Sequence, residues 1–365
     1  MSNQLKIYFD ARMLGHSGIG TQIEEVLSRL VDNPEIDLCL IGDKDKIHQY
    51  FPNIDNIKNF RASIYSLKEQ IFFPSRDSNV GLFHFPHYNA PIKHLKNSIV
   101  VIHDLIHLDS EEFNKPHYRI YAKTLIQQIV NKARAIIAVS EYTKKRLMEE
   151  FKTTKNNIYV IHNGINRDIF YPAYLKEIRD FRKKYQLPER YFLVVGIGKK
   201  HKNLDGLILA LKNLWKQELL NIPLVVAGTN QKIPEYVKEL ITDDIKNRII
   251  FLPFIQKDQL RILYSSAFLF IMPSKLEGFG FPLLEAMACG VPTISSNRAS
   301  LPEISQNATI YFDPYSPQDI MNCIMKVSKD KKIRESLIEK GKKQVLKYDW
   351  DVHVQKLIKI YKKYY

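Results

Sequence analysis

S-K-L-E-G-F-G-F-P-L-L-E-A-M-A-C-G, from Ser274 to Gly290, is a glycine-rich loop running into an apolar, helix-like segment. Just upstream, Ala267 to Met272 (A-F-L-F-I-M) is a short apolar run of the kind that fills a buried parallel strand. Pro282 suits the first turn of a helix, so the local plan is strand, loop, helix. Gly278 and Gly280 let the loop turn tightly and let a ligand approach the main chain. A helix start beyond such a loop attracts anions, phosphate above all. Glu277 lies before the helix and Glu285 in its first turn, placed to reach one pocket from different sides. Carboxylates accept hydrogen bonds from the vicinal hydroxyls of a sugar, so the stretch suits a ligand that is part polyol and part phosphate. Taken singly, Glu277 also reads as a solvated loop residue and Glu285 as compensation for the helix dipole.

The same strand, loop and helix unit recurs on both sides. Leu5–Asp10, Leu38–Gly42, Val80–Phe85, Ser98–Ile102, Ala135–Val139 and Asn157–Ile161 read as strands, with helices from Ile19 to Leu30, from about His117 to Ala133 and from Ser140. After His162-Asn163-Gly164 the pattern loosens through Tyr171-Pro172. It restarts with strands at Tyr191–Gly196, Pro223–Gly228, Arg248–Leu252, Ala267–Met272 and Val291–Ser295, and helices follow from Ser316. Alternation of this kind makes doubly wound parallel sheets, and in such sheets ligands bind beyond the C-terminal strand ends. Two Rossmann-like α/β halves facing across a cleft are therefore expected, residues 1–172 and 173–348.

A chain of 365 residues holds two such cores, and 45% hydrophobic with 25% charged residues is ordinary for a globular protein. No apolar run approaches the ~18 residues a membrane span needs, and the N-terminus lacks the look of an export signal. Cys39, Cys289 and Cys323 are widely spaced and form no paired motif, which fits a reducing, cytoplasmic setting. The net charge of +15, concentrated after Ile320 and around Arg179, Arg182, Lys183 and Lys184, fits nucleic acid, anionic lipid or phosphorylated small molecules as partners, or a lysine-biased genome. The aromatics are not interleaved with the basic runs as a nucleic-acid stacking surface requires, so no nucleic-acid partner is expected.

After the strand Tyr191–Gly196 comes I-G-K-K-H-K-N-L, in which Asn203 or Asp205 can cap the next helix. Lys199, Lys200 and Lys202 on one turn make a cation site of the kind a diphosphate leaving group requires as charge grows on it. Solvation of a basic turn is the alternative.

E-G-F-G-F-P-L-L-E-A-M-A-C-G-V-P, from Glu277 to Pro292, resembles the donor-site signature of the family 4 retaining glycosyltransferases of GT-B fold. The resemblance implies that Glu277 holds the transferred sugar, that the amides of Gly278, Phe279 and Gly280 lie beside the sugar and diphosphate, and that Glu285 holds the nucleotide ribose. It makes Lys202 the diphosphate lysine. An arginine that many members carry after the strand glycine is replaced by Ile197, with Lys199 or Lys200 to compensate. V-V-I-H-D-L-I-H-L resembles the strand end where a histidine and aspartate meet the reacting sugar, which points to His103 as a donor that steers the acceptor hydroxyl, and to Asp104 beside it. S-G-I-G resembles the glycine loop before the first helix, which points to Gly18 and Gly20. Residues 349–365 resemble the last helix, which crosses back to the first domain.

The expected activity is transfer of a hexose from a nucleotide-sugar to a saccharide or lipid-linked saccharide acceptor. The D-A-R-M-L opening most resembles O-antigen mannosyltransferases of lipopolysaccharide assembly, which favours GDP-mannose over a UDP-sugar donor. Catalysis is assigned to His103, Glu277 and Lys202, with no cofactor. No divalent metal is expected: His103 and His107 have the spacing of a zinc pair but lack the adjacent glutamate of a metalloprotease helix, and Asp43-Lys44-Asp45 and Asp349-Trp350-Asp351 read as solvated or capping residues. The basic surface suggests peripheral contact with an anionic membrane. A glycoside hydrolase would also use a glutamate pair, but it needs no basic turn for a diphosphate.

Overall fold

The computed structural model describes residues 4–77, 81–110, 116–154, 156–196, 198–229 and 231–365, with backbone alone at 116–118. The chain divides into two compact units, Met1–Gly164 with Asp349–Tyr365, and Ile165–Tyr348. Residues 165–172, expected with the N-terminal half, thus go with the second unit.

The first unit runs β1 (Leu5–Asp10), α1 (Ser17–Leu30), β2 (Ile36–Gly42), α2 (Lys44–Tyr50), β3 (Ile57–Asn59), α3 (Leu67–Phe72), β4 (Leu82–Phe85), β5 (Ser98–Ile102), α4 (Ile106–Asp109), α5 (Pro116–Lys132), β6 (Ala135–Ala138), α6 (Glu141–Glu150) and β7 (Ile158–Val160). The strand order is β3-β2-β1-β4-β5-β6-β7, with every neighbouring pair parallel. β4, β5 and β6 are buried throughout, which is why they read as mainly apolar runs rather than alternating ones. Val80, expected to open β4, lies outside the described residues.

The second unit runs α7 (Leu175–Tyr185), β8 (Phe192–Val195), α8 (Leu204–Lys216), β9 (Leu224–Ala227), β10 (Ile249–Phe251), α9 (Lys257–Ser265), β11 (Leu269–Met272), α10 (Phe281–Ala288), β12 (Thr293–Ser296), α11 (Leu301–Ser305), β13 (Ile310–Phe312), α12 (Pro317–Lys329) and α13 (Lys331–Val345). Its parallel sheet has the order β10-β9-β8-β11-β12-β13. Leu207, Ile208, Leu211, Phe192, Val194 and Ile271 are fully buried at its centre.

In both sheets the chain first builds outward in one direction and then returns to build in the other. The reversal falls between β1 and β4 in the first sheet and between β8 and β11 in the second. Loops that leave such a switch point part from one another and open a crevice at the strands' C-terminal ends. In the second unit those loops are 196–203 and 273–280, the lysine turn and the Glu277 loop.

The last helix, α14 (Trp350–Tyr364), belongs to the first unit. Asp349 caps it, accepting from the amides of Asp351 and Val352. The buried Tyr361 hydroxyl is 2.9 Å from His84 Nδ1, and His353 Nδ1 is 2.9 Å from the His162 carbonyl. Gly164 permits this docking, since a Cβ there would come within 2.5 Å of the Trp350 backbone nitrogen. Asp43 likewise caps α2, and Arg61 forms ion pairs with Asp43 and Asp45.

Candidate functional site

The lysine turn and the Glu277 loop meet within the second unit. Nζ of Lys202 lies 2.7 Å from Oε1 of Glu277, a side chain only 9% exposed. One main-chain hydrogen bond and the Asn203 side chain hold the loops together. The Lys275 amide donates to the His201 carbonyl at 2.8 Å, and the buried Asn203 side chain donates to the carbonyls of Pro273 and Pro314 at 3.1 and 2.8 Å. Asn203 therefore occupies the cap position of α8 with φ of 60° but spends its amide on the neighbouring loops, not on the helix. Lys199 and Lys200 are exposed on the same turn. Ile197 lies outside the described residues.

Gly280 carries φ of 101° at the start of α10, a left-handed conformation that favours glycine. A Cβ there would also meet Leu301 at 2.8 Å. The Phe279 ring packs inward against Phe281 and Tyr348, at 5.2 and 5.7 Å between centroids, so any ligand contact it makes is through its backbone. Because α10 starts at Phe281, Glu285 stands beyond the first turn and not in it, and compensation of the helix dipole is not its role. Its Oε2 accepts from the Tyr264 hydroxyl at 2.7 Å, and burial pushes its carboxyl up to about 7.

In the first unit, His103 follows β5 with Nε2 at 2.9 Å from the Pro86 carbonyl. That carbonyl can only accept, so Nε2 carries the proton. Burial lowers the His103 pKa below its ordinary 6.5 and favours the neutral ring, which leaves Nδ1 as an acceptor. The donor expected from sequence is in this respect an acceptor. Asp104 spends Oδ1 on the Ile106 amide at 3.0 Å, opening α4. The His107 ring packs beside those of Tyr65 and Tyr88. Among the described residues no group of three or more His, Cys, Asp or Glu is arranged to hold a metal ion. Gly18 and Gly20, expected in a loop before the first helix, are inside the first turn of α1. A Cβ at Gly20 would meet the Gly15 amide at 2.8 Å, so this glycine lets loop 11–16 fold onto the helix.

Residues 177–344 match the family described as Glycosyl transferases group 1, and residues 18–169 match Glycosyltransferase Family 4. The chain is 25% identical to O-antigen chain mannosyltransferase B of Escherichia coli, over 98% of this chain and 100% of that one. The chain is a family 4 glycosyltransferase. This glycosyltransferase is also 26% identical to O-antigen chain mannosyltransferase RfbU of Salmonella typhimurium, over 73% of this chain and 69% of that one. Its fold matches that of Anabaena HepE, solved in complex with UDP and glucose, with a TM-score of 0.74 over 98% and 99% of the two chains at 17% identity. Two Rossmann-like units with parallel sheets are the GT-B fold.

Three residues of the glycosyltransferase's second unit escape sequence reasoning. Ser300, fully buried, donates to the carbonyls of Glu277 and Phe279 at 3.0 and 3.2 Å and so fixes the loop that carries both. Tyr264 orients Glu285 from α9. Asn203 was visible only as a cap. None of the three contacts is local in sequence.

Proposed function

We propose that this glycosyltransferase moves a mannosyl residue from GDP-mannose to a saccharide hydroxyl during assembly of an O-antigen or similar surface polysaccharide, with retention at the anomeric carbon. The observation that carries the donor half is the Lys202–Glu277 pair at 2.7 Å. It sets an ammonium for a diphosphate beside a carboxylate for a sugar. An ammonium has three N–H donors, so Lys202 can keep Glu277 and still address a diphosphate. The names of the two mannosyltransferases support the sugar and the pathway.

In the proposed reaction Glu277 accepts hydrogen bonds from hydroxyls of the transferred sugar, and Glu285 accepts from the ribose. His103, neutral, accepts from a sugar hydroxyl through Nδ1. The bond from the anomeric carbon to the diphosphate oxygen breaks, and the bond to the acceptor oxygen forms on the same face. The acceptor's proton passes to the departing diphosphate, whose charge Lys202 offsets. No cofactor or metal enters this scheme. The enzyme would work at the cytoplasmic side of the membrane, where its basic surface meets anionic lipid. No helix among the described residues is long and apolar enough to cross a membrane.

The test is transfer itself. The protein is incubated with GDP-mannose, GDP-glucose, UDP-glucose or UDP-galactose and a mannoside acceptor, and the product linkage is read by NMR. An α-mannoside formed from GDP-mannose is expected. Product from a UDP-sugar alone would replace the donor assignment, an inverted product would remove retention, and hydrolysis of an aryl glycoside without nucleotide would remove the transferase reading.

A further inference from the structure

Helix α3 in the first unit is built inside out. Leu67, Ile71 and Phe72 are 79%, 60% and 67% exposed, while its acid, Glu69, is fully buried. A surface helix ordinarily buries its apolar side chains and exposes its charged ones. The inversion is anchored. Arg12 donates to Glu69 Oε2 at 2.8 Å and to Asp10 Oδ2 at 2.7 Å, tying α3 to the C-terminal end of β1. The Tyr65 amide donates to Glu69 Oε1 at 3.1 Å.

The apolar side chains have company. The Ile92 amide donates to Gln70 Oε1 at 3.1 Å, and Lys93 Nζ donates to the Ile71 carbonyl at 2.7 Å, so the turn at 92–97 lies against α3. That turn adds Ile92, 40% exposed. Lys68, Lys93 and Lys96 are exposed on the same two segments, whose single acid is the buried Glu69. Apolar side chains set among cations, with no exposed anion, suit the interface of an anionic bilayer: the side chains enter the headgroup boundary and the lysines meet lipid phosphates. A second copy of this chain fits poorly, because a two-fold contact through this face would bring like charges together.

We propose that α3 and the turn at 92–97 are the surface by which this glycosyltransferase rests on anionic lipid. This deepens, and rests on, the reading that the enzyme works against anionic lipid at the membrane. Tyr65, one residue before the Ser66 cap of α3, places its hydroxyl 3.0 Å from that of Tyr88, and the neighbouring His87 ring is 6.5 Å from His103. The lipid-facing helix is thus joined within one unit to the histidine assigned to the reacting sugar.

Cosedimentation of the full chain with phosphatidylglycerol vesicles and with phosphatidylcholine vesicles at low salt tests the proposal. The variants are Leu67→Ser/Ile71→Ser/Phe72→Ser and Lys68→Ser/Lys93→Ser/Lys96→Ser, with melting temperature and transfer to a soluble acceptor as controls. The expected result is binding of the native protein to phosphatidylglycerol only, at least a tenfold loss in the apolar variant, and loss of salt dependence in the lysine variant, with transfer retained. Native binding that the apolar variant keeps in full would overturn this face while leaving the membrane reading standing. No native binding would overturn both. A concentration-dependent dimer abolished by the apolar variant would make the face a self-association surface and overturn the proposal.

Discussion

Nζ of Lys202 and Oε1 of Glu277 are 2.7 Å apart, although the residues are 75 positions apart in the chain and sit on loops that leave different strands. The contact arises because β8 and β11 are neighbours at the point where the strand order reverses, so their C-terminal loops open from one place. Lys202→Ala is expected to lower kcat by about 10²–10³-fold, the range for losing one preorganised charge-stabilising group. Glu277→Ala is expected to abolish transfer while circular dichroism and melting temperature show a folded protein. Full activity in either variant would remove the donor assignment.

Burial pushes the carboxyl of Glu285 up to about 7, so the proposed ribose contact predicts a pH dependence of donor binding. Ribose hydroxyls donate to the charged form, so affinity should rise as pH increases from 6 to 8 and level off above the midpoint. The Tyr264 hydrogen bond acts to lower that midpoint, so Tyr264→Phe should shift the rise to higher pH, and Glu285→Gln should flatten it. Calorimetric titration with the nucleotide across this range reads all three. A flat profile in the native protein contradicts the role given to Glu285.

Ser300→Ala removes a buried hydroxyl that satisfies two carbonyls of the donor loop. A destabilisation of about 1–3 kcal/mol is expected from losing this buried, shared hydrogen bond. The donor KM should rise as well, because Glu277 loses its main-chain support. A variant with native melting temperature and native KM would show that the hydroxyl holds nothing in place.

Burial lowers His84 to about 3 and His353 to about 4, from an ordinary 6.5. The unfolded chain takes up protons on both below about 6.5 and the folded chain does not, so the stability of the first unit is fully present above that pH and falls as pH drops toward 4. Trp350 fluorescence, with Trp215→Phe to silence the second unit, reports α14. Denaturant midpoints should fall between pH 7 and 5, and His84→Gln/His353→Gln should show a weaker fall. Equal slopes in the two proteins would show that other groups govern acid sensitivity.

The sequence was most legible where burial is two-sided. β4, β5, β9 and β11 are buried along their whole length and stand out as apolar runs between turns. β3 (I-K-N) and β13 (I-Y-F) were missed because each is only three residues long, too short to show a period, and carries polar or half-buried positions where an apolar run would be looked for. α3 was missed because L-K-E-Q-I-F sends its apolar side chains outward, and a pattern read for burial cannot see it. In the donor cluster, Glu277 and Lys202 are adjacent to glycine and lysine signals in their own loops. Ser300 and Tyr264 reach the site only through the packing of α11 and α9 against α10, which no local spacing encodes.

The central claim is that Glu277 holds the sugar of a nucleotide-sugar whose diphosphate Lys202 addresses. The most direct measurement compares the melting temperature of the native protein and of Glu277→Ala in GDP alone and in GDP-mannose, since ligands that bind the folded state raise it. The account predicts a larger rise with GDP-mannose than with GDP in the native protein, and equal rises with the two in the variant. An undiminished extra rise from GDP-mannose in Glu277→Ala, or no rise with either ligand in the native protein, would contradict it.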